Sequence, residues 1–89
     1  MLRLTIVSQS AEEVVLQVDG WLAGENVALL EQEGVGHLRQ VRCLVLDLKG
    51  VRYIDQTGIA LLQRWSGDRL VLRPGSSYIR MALEAGGLD

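Results

Sequence analysis

The chain opens on a strict alternation. Leu2, Leu4 and Ile6 fall on one side of an extended strand, and Arg3, Thr5 and Val7 on the other. A two-residue period predicts a β-strand. A polar, turn-like stretch, Ser8-Gln9-Ser10-Ala11-Glu12-Glu13, leads to Val14-Val15-Leu16-Gln17-Val18-Asp19-Gly20, again strand-like, with Val14, Leu16 and Val18 on one face. Two such runs joined by a short polar link predict an antiparallel hairpin. Between Trp21 and Val41 the period lengthens. Val27, Leu30, Leu38 and Val41 fall near one face of a 3.6-residue repeat, with Glu25, Glu31, Glu33 and Arg39 largely outside it. This predicts an amphipathic helix. Gly34 and Gly36 lie inside it, and each costs about 1 kcal/mol relative to alanine in a helix interior. A bend, or an early end with a restart near His37, is therefore expected.

The next run, Cys43-Leu44-Val45-Leu46-Asp47-Leu48, is short and almost wholly apolar, as suits a central strand covered on at least one face. Lys49-Gly50-Val51-Arg52-Tyr53 reads as a turn and an approach to a second helix. That helix is short, because Ser66-Gly67-Asp68-Arg69 interrupts it after Trp65. Leu70-Val71-Leu72 is a further strand, stopped by Arg73-Pro74-Gly75. Ser76 and Ser77 are N-cap candidates for a last helix over Tyr78 to Ala85, and Gly86-Gly87 is a C-terminal stop. The order is β-β-α-β-α-β-α. It predicts an α/β fold: a small mixed four-stranded sheet, an N-terminal hairpin followed by parallel β-α-β-α-β, with the helices packed on it. Right-handed crossovers would put consecutive helices on one face of the sheet wherever the strand order runs one way. With no internal repeat or linker, a single domain over residues 1–89 is expected.

Composition narrows the function. Apolar residues make up 48% of the chain and charged residues 22%, an ordinary globular mix. The net charge is −2, with both signs interspersed and no basic block, so no nucleic-acid surface is expected. No apolar run approaches the roughly 20 residues that span a bilayer, and the first residues lack an apolar signal core, so a cytoplasmic protein without membrane insertion is expected. Cys43 is the sole cysteine and reads as a small buried hydrophobe. His37 is the sole histidine and reads as a surface residue, so no zinc site and no cofactor is expected. The serines sit in no nucleophile elbow, and Lys49, the single lysine, is in no phosphate loop. Asp47 and Asp55 flank a strand-to-helix corner. They could form a catalytic acid–base pair, but the simpler reading has one facing solvent and one capping the helix. An enzyme is not expected.

The corner itself is Asp55-Gln56-Thr57-Gly58 within Tyr53-Ile54-Asp55-Gln56-Thr57-Gly58-Ile59-Ala60-Leu61-Leu62. Asp55 can accept from the free N–H groups of a helix start, where its charge suits the positive end of the dipole. Thr57 could equally be the N-cap. Gly58 lets a backbone or ligand approach closely. Capping is the simplest account. A hydroxyl at a helix N-terminus is also a place where phosphate is locally tolerated, and its charge of about −1.5 to −2 would alter the surface strongly. Thr57 is thus a candidate modification site.

Cys43 to Leu62 resembles the central signature of the STAS domain, found in anti-sigma factor antagonists and sulfate transporters. It has an apolar strand ending in Asp47-Leu48, a Gly50-Val51 turn, an aromatic-aliphatic-Asp step at Tyr53-Ile54-Asp55, then Gly58 and an aliphatic helix. The stretch from Arg69 to Asp89, with its closing Gly87-Leu88-Asp89, is similar to the family's fourth strand and following helix. The resemblance implies a non-catalytic domain that docks protein partners around the corner, with Asp55, Gln56, Thr57 and Gly58 as the partner-binding residues. In the antagonists the partner is an anti-sigma factor that is also a serine kinase. It phosphorylates the first residue after the motif aspartate, and the phosphate breaks the complex. Here that position is Gln56, which accepts no phosphate and, being neutral, does not mimic one. Thr57 is the remaining candidate acceptor.

Three functions follow for comparison. One is a regulatory module docking an anti-sigma factor or kinase-like partner. Another is a STAS subunit docking on the ATPase of an ABC-type lipid transport system. The third is a small-ligand sensor for a nucleotide or lipid. Trp21, Leu22 and Trp65 are expected in the core; were they exposed, they would suggest association, including a homodimer.

Overall fold

A computed structural model of the protein describes residues 1–88. Seven elements follow in the expected order: β1 (Leu2–Gln9), β2 (Glu13–Leu22), α1 (Asn26–Leu38), β3 (Cys43–Ile54), α2 (Gln56–Trp65), β4 (Leu70–Arg73) and α3 (Ser77–Ala85). The strands form one sheet in the order β1-β2-β3-β4. β1 is antiparallel to β2, and β2, β3 and β4 run parallel.

The alternation decides what each face of the sheet carries. Val14, Leu16, Val18 and Leu22 of β2 and Leu44, Leu46 and Leu48 of β3 are wholly buried. They share one core with Val27 and Leu30 of α1, Ile59, Leu61 and Leu62 of α2, and Ile79 and Leu83 of α3. All three helices therefore cover the same face, as right-handed crossovers in a one-way strand order require. A polar row, Thr5, Gln17, Asp47 and Arg73, crosses the other face in register, and no helix covers it among the described residues.

Several elements depart from the sequence pattern. β3 does not end at Leu48; it runs on to Ile54. Its pairing with β2 slips between Gln17 and Asp19 and again between Gly20 and Trp21, so β3 carries an extra residue at each place. Bulges keep a strand paired while turning its side chains over. The inward positions accordingly run Leu44, Leu46, Leu48, Val51, Ile54. That broken period is why Lys49 to Tyr53 looks like a turn in the sequence. On β1, Ile6 keeps the register of Leu2 and Leu4, pairing with Leu16, yet is 43% exposed, and the strand pairing shifts just after it, between Ile6 and Ser8.

α1 neither bends into two pieces nor restarts near His37. It is continuous to Leu38, and buried Gly34 is where the Trp65 indole of α2 packs: a Cβ there would run into the ring. The Arg69 guanidinium closes its C-terminal end, donating to the carbonyls of Leu38, Val41 and Arg42. Cations are favoured at that end of the helix dipole. Val41 lies beyond the helix yet is buried. Among single residues, Leu22 and half-buried Trp65 join the core, but both Leu22 and Trp21 belong to β2, and Trp21 is 54% exposed rather than buried. His37 is more covered than a surface histidine, its side chain only 14% exposed and paired with Glu33 across one helical turn. Cys43 is half-buried at the start of β3.

Candidate functional site

The corner lies where β3 ends and α2 begins, beside the end of β2. Asp55 has extended backbone and is the N-cap of α2, its side chain accepting from the Gly58 N–H at 3.0 Å. Thr57 is therefore not the cap; it lies one residue into the helix from Gln56. The other Asp55 oxygen accepts from the Gly24 N–H at 2.9 Å, across from the loop that follows β2. One carboxylate thus ties the helix start to the β2–α1 loop. The Gly58 N–H, aided by those of Gly24 and Thr57, holds the carboxyl below its ordinary range, while partial burial works against them. Hydrogen bonds to the charged form favour it.

Gly58 is buried against the same strand end. A Cβ at this position would lie 2.5 Å from the Leu22 carbonyl oxygen and 2.9 Å from the Ile54 side chain. The absence of a side chain is what lets the first turn of α2 sit down on β2. Gln56 and Thr57, by contrast, are exposed. From the far side, the Tyr78 hydroxyl of α3 donates to the Ile54 carbonyl at 3.3 Å. The four corner residues are thus brought together as two inward anchors, Asp55 and Gly58, and two outward side chains, Gln56 and Thr57.

Asp47 does not join this cluster. It lies within β3 and accepts from the Lys49 N–H at 3.0 Å, at the first bulge. Each aspartate is thus engaged by backbone donors, Asp47 by a local one and Asp55 by Gly58 and the distant Gly24. Among the described residues no group of three or more His, Cys, Asp or Glu side chains is placed to hold a metal ion, and no helix is long and apolar enough to cross a membrane.

Two residues beside the corner were not singled out as a pair by the sequence. Trp21 and Tyr53 face one another across β2 and β3, ring centroids 5.3 Å apart and tilted by 55°. They are 54% and 41% exposed. Half of the signal was present: extending the β2 alternation past Val18 puts Trp21 on the face of Gln17 and Asp19, away from the core. The bulge at Arg52 that brings Tyr53 opposite it has no sequence signature.

A family model described as "Mlab, STAS domain" matches residues 6–89. The chain belongs to the STAS domain family. Among solved structures, this STAS domain is similar to the anti-sigma factor antagonist SpoIIAA in its unphosphorylated form, with 21% sequence identity and a TM-score of 0.73. The match covers 99% of this chain and 82% of that one, and at this identity it bears on the fold. No curated protein is a significant match to the chain.

Proposed function

We propose that this STAS domain is a non-catalytic, cytoplasmic regulatory module that docks a protein partner through the Asp55-Gln56-Thr57-Gly58 corner. The observation that carries the proposal is the division of labour there. Asp55 and Gly58 fix the helix start against β2, and this presents Gln56 and Thr57 outward on a rigid support. Rigid presentation lowers the ordering cost of docking. The partner in this reading is an anti-sigma factor of the serine kinase type, the class implied by the antagonist resemblance. Gln56 fills the phosphoacceptor position, so docking is not switched there; Thr57, exposed in the first turn, is the candidate replacement.

A second reading gives the same corner to the ATPase of a lipid transporter. The matching family model carries the Mlab description and not that of the antagonists, which keeps this partner class in contention. The ligand-sensor reading has less support. The most enclosed cleft, between β4 and α3 and lined by Leu70, Leu72, Leu83 and Leu88 among others, holds about 190 Å³, below the roughly 300–1,000 Å³ usual for ligand pockets. The larger depressions, of about 350 to 620 Å³, are shallow and open to solvent.

Binding of the full chain to purified kinases of the first class and ATPases of the second tests the proposal. One class should bind, and Gln56→Arg and Thr57→Glu should weaken that complex at least about tenfold, as expected for central interface positions. Binding of neither class, or binding indifferent to both substitutions, overturns it. Intact mass after incubation with the kinase decides whether Thr57 takes a phosphate.

A further inference from the structure

The Trp21–Tyr53 pair is an unusual thing to leave in water. Tryptophan, tyrosine and arginine are the residues that dominate interface energetics, and arginines flank this pair. Arg3 and Arg52 line one shallow depression with Trp21, Met1, Asp19 and Gly20. Lys49 and Arg52 line the adjoining one with Ser76 and Tyr78. The ion pairs among the described residues, His37–Glu33 and Arg64–Glu31, involve none of these cations. The acids of this end are Asp19, which lines both depressions, lies opposite Arg3 across the strand pair and accepts from the Gln17 amide, and Asp55, held by the Gly24 and Gly58 N–H groups. Glu25 is exposed on the loop beyond. The side chains lining the two depressions thus carry three cations, Arg3, Lys49 and Arg52, against one carboxylate, Asp19, beside the exposed aromatic pair of a chain whose net charge is −2. The patch is continuous with the corner, since Trp21 and Leu22 pair with Tyr53 and Ile54, the residues immediately before Asp55.

We propose that Trp21, Tyr53, Arg3 and Arg52 form an anchor for an acidic segment of the partner protein, one large apolar side chain of that segment lying on the tilted aromatic pair and its carboxylates on the two guanidiniums. The inference deepens the docking reading of the corner and rests on it. Tilted aromatic rings offer area at low entropic cost, and arginine binds carboxylates through a planar fork of donors. A concave depression in which two cationic side chains outnumber one carboxylate suits a peptide carboxylate better than a flat membrane surface, and a chain of net negative charge is repelled by anionic lipid overall.

The test uses the full chain and two probes: peptides selected from a random display library on the immobilised protein, and vesicles of phosphatidylglycerol. The inference expects selected peptides rich in Asp and Glu with an apolar or aromatic residue. Their affinity should fall about tenfold or more in Trp21→Ala and Arg52→Glu, and the Arg52 effect should shrink in high salt. Arg52→Lys should retain part of the affinity, and a lysine-containing peptide should recover binding to Arg52→Glu. Trp21 is 54% exposed, so Trp21→Ala should lose its pairing with Tyr53 and melt a few degrees lower while keeping a cooperative transition, and Arg52→Glu should melt close to wild type, which separates lost contact from lost fold. Neutral or basic selected peptides, binding indifferent to Trp21→Ala and Arg52→Glu, or capture by the vesicles that those substitutions abolish would overturn it. With the partner found above, loss of binding in Gln56→Arg but not in Trp21→Ala or Arg52→Glu overturns the anchor and leaves the corner standing. Indifference to all three removes both.

Discussion

The two oxygens of Asp55 accept from Gly58, three residues on, and from Gly24, 31 residues back. Removing an N-cap costs about 1 kcal/mol, up to about 2, and the bond to Gly24 adds to it because that donor lies on another element. Asp55→Ala is therefore expected to lower unfolding free energy by about 1–2 kcal/mol in urea titrations. The folded-state pKa of Asp55 lies below the ordinary value of 3.8. Its contribution is thus fully present above that value and is lost as pH falls through the lowered one. The gap between wild type and Asp55→Ala should narrow below about pH 4. Gly58→Ala pushes a methyl group into the Leu22 carbonyl and should cost about 1–3 kcal/mol, as overpacking does, with a matching loss of partner binding. The corner was legible as a helix start because Asp, Thr and Gly cluster there. Which side chain caps was not legible, since Asp55 and Thr57 both suit the role. The extended backbone of Asp55 settles it.

At the level of elements, identical residues in one helix have opposite roles. Gly34 receives the Trp65 ring, whereas a Cβ on Gly36 meets nothing within 4 Å. Gly36→Ala should stabilise the protein by about 0.5–1 kcal/mol through helix propensity alone. Gly34→Ala should destabilise it by about 1–3 kcal/mol, because overpacking outweighs that gain; thermal melts of the two variants check the contrast. Sequence periodicity treats both glycines as helix weaknesses and so suggests a break. Packing between α1 and α2 makes one of them necessary. β3 shows the same limit. Its first half follows a plain apolar run, but two bulges, read only from its pairing with β2, carry it to Ile54. Those bulges turn Tyr53 out beside Trp21 and deliver Asp55 to the end of β2.

For the whole molecule, one core unites the sheet and three helices, so a single cooperative transition is expected. Leu46→Ala, at a fully buried site on the central strand β3, should cost about 2–5 kcal/mol. Far-UV circular dichroism and tryptophan fluorescence should shift together; separate transitions would contradict the single core. The element order, the parallel β-α-β-α-β portion, the inward face of Val14, Leu16 and Val18 on β2 and the apolar character of the first half of β3 followed from the sequence alone. They depend on local periodicity and chain order, which one-dimensional pattern records. The helix junction at Asp55 to Gly58 followed too, because capping chemistry is local. Tertiary structure alone decided which oxygen meets which loop, why Gly34 must lack a side chain, and that an aromatic pair flanked by arginines stands exposed beside the corner. Each of these depends on groups distant in sequence meeting across strands or helices, and on bulges whose energetic balance is set by the neighbouring strand.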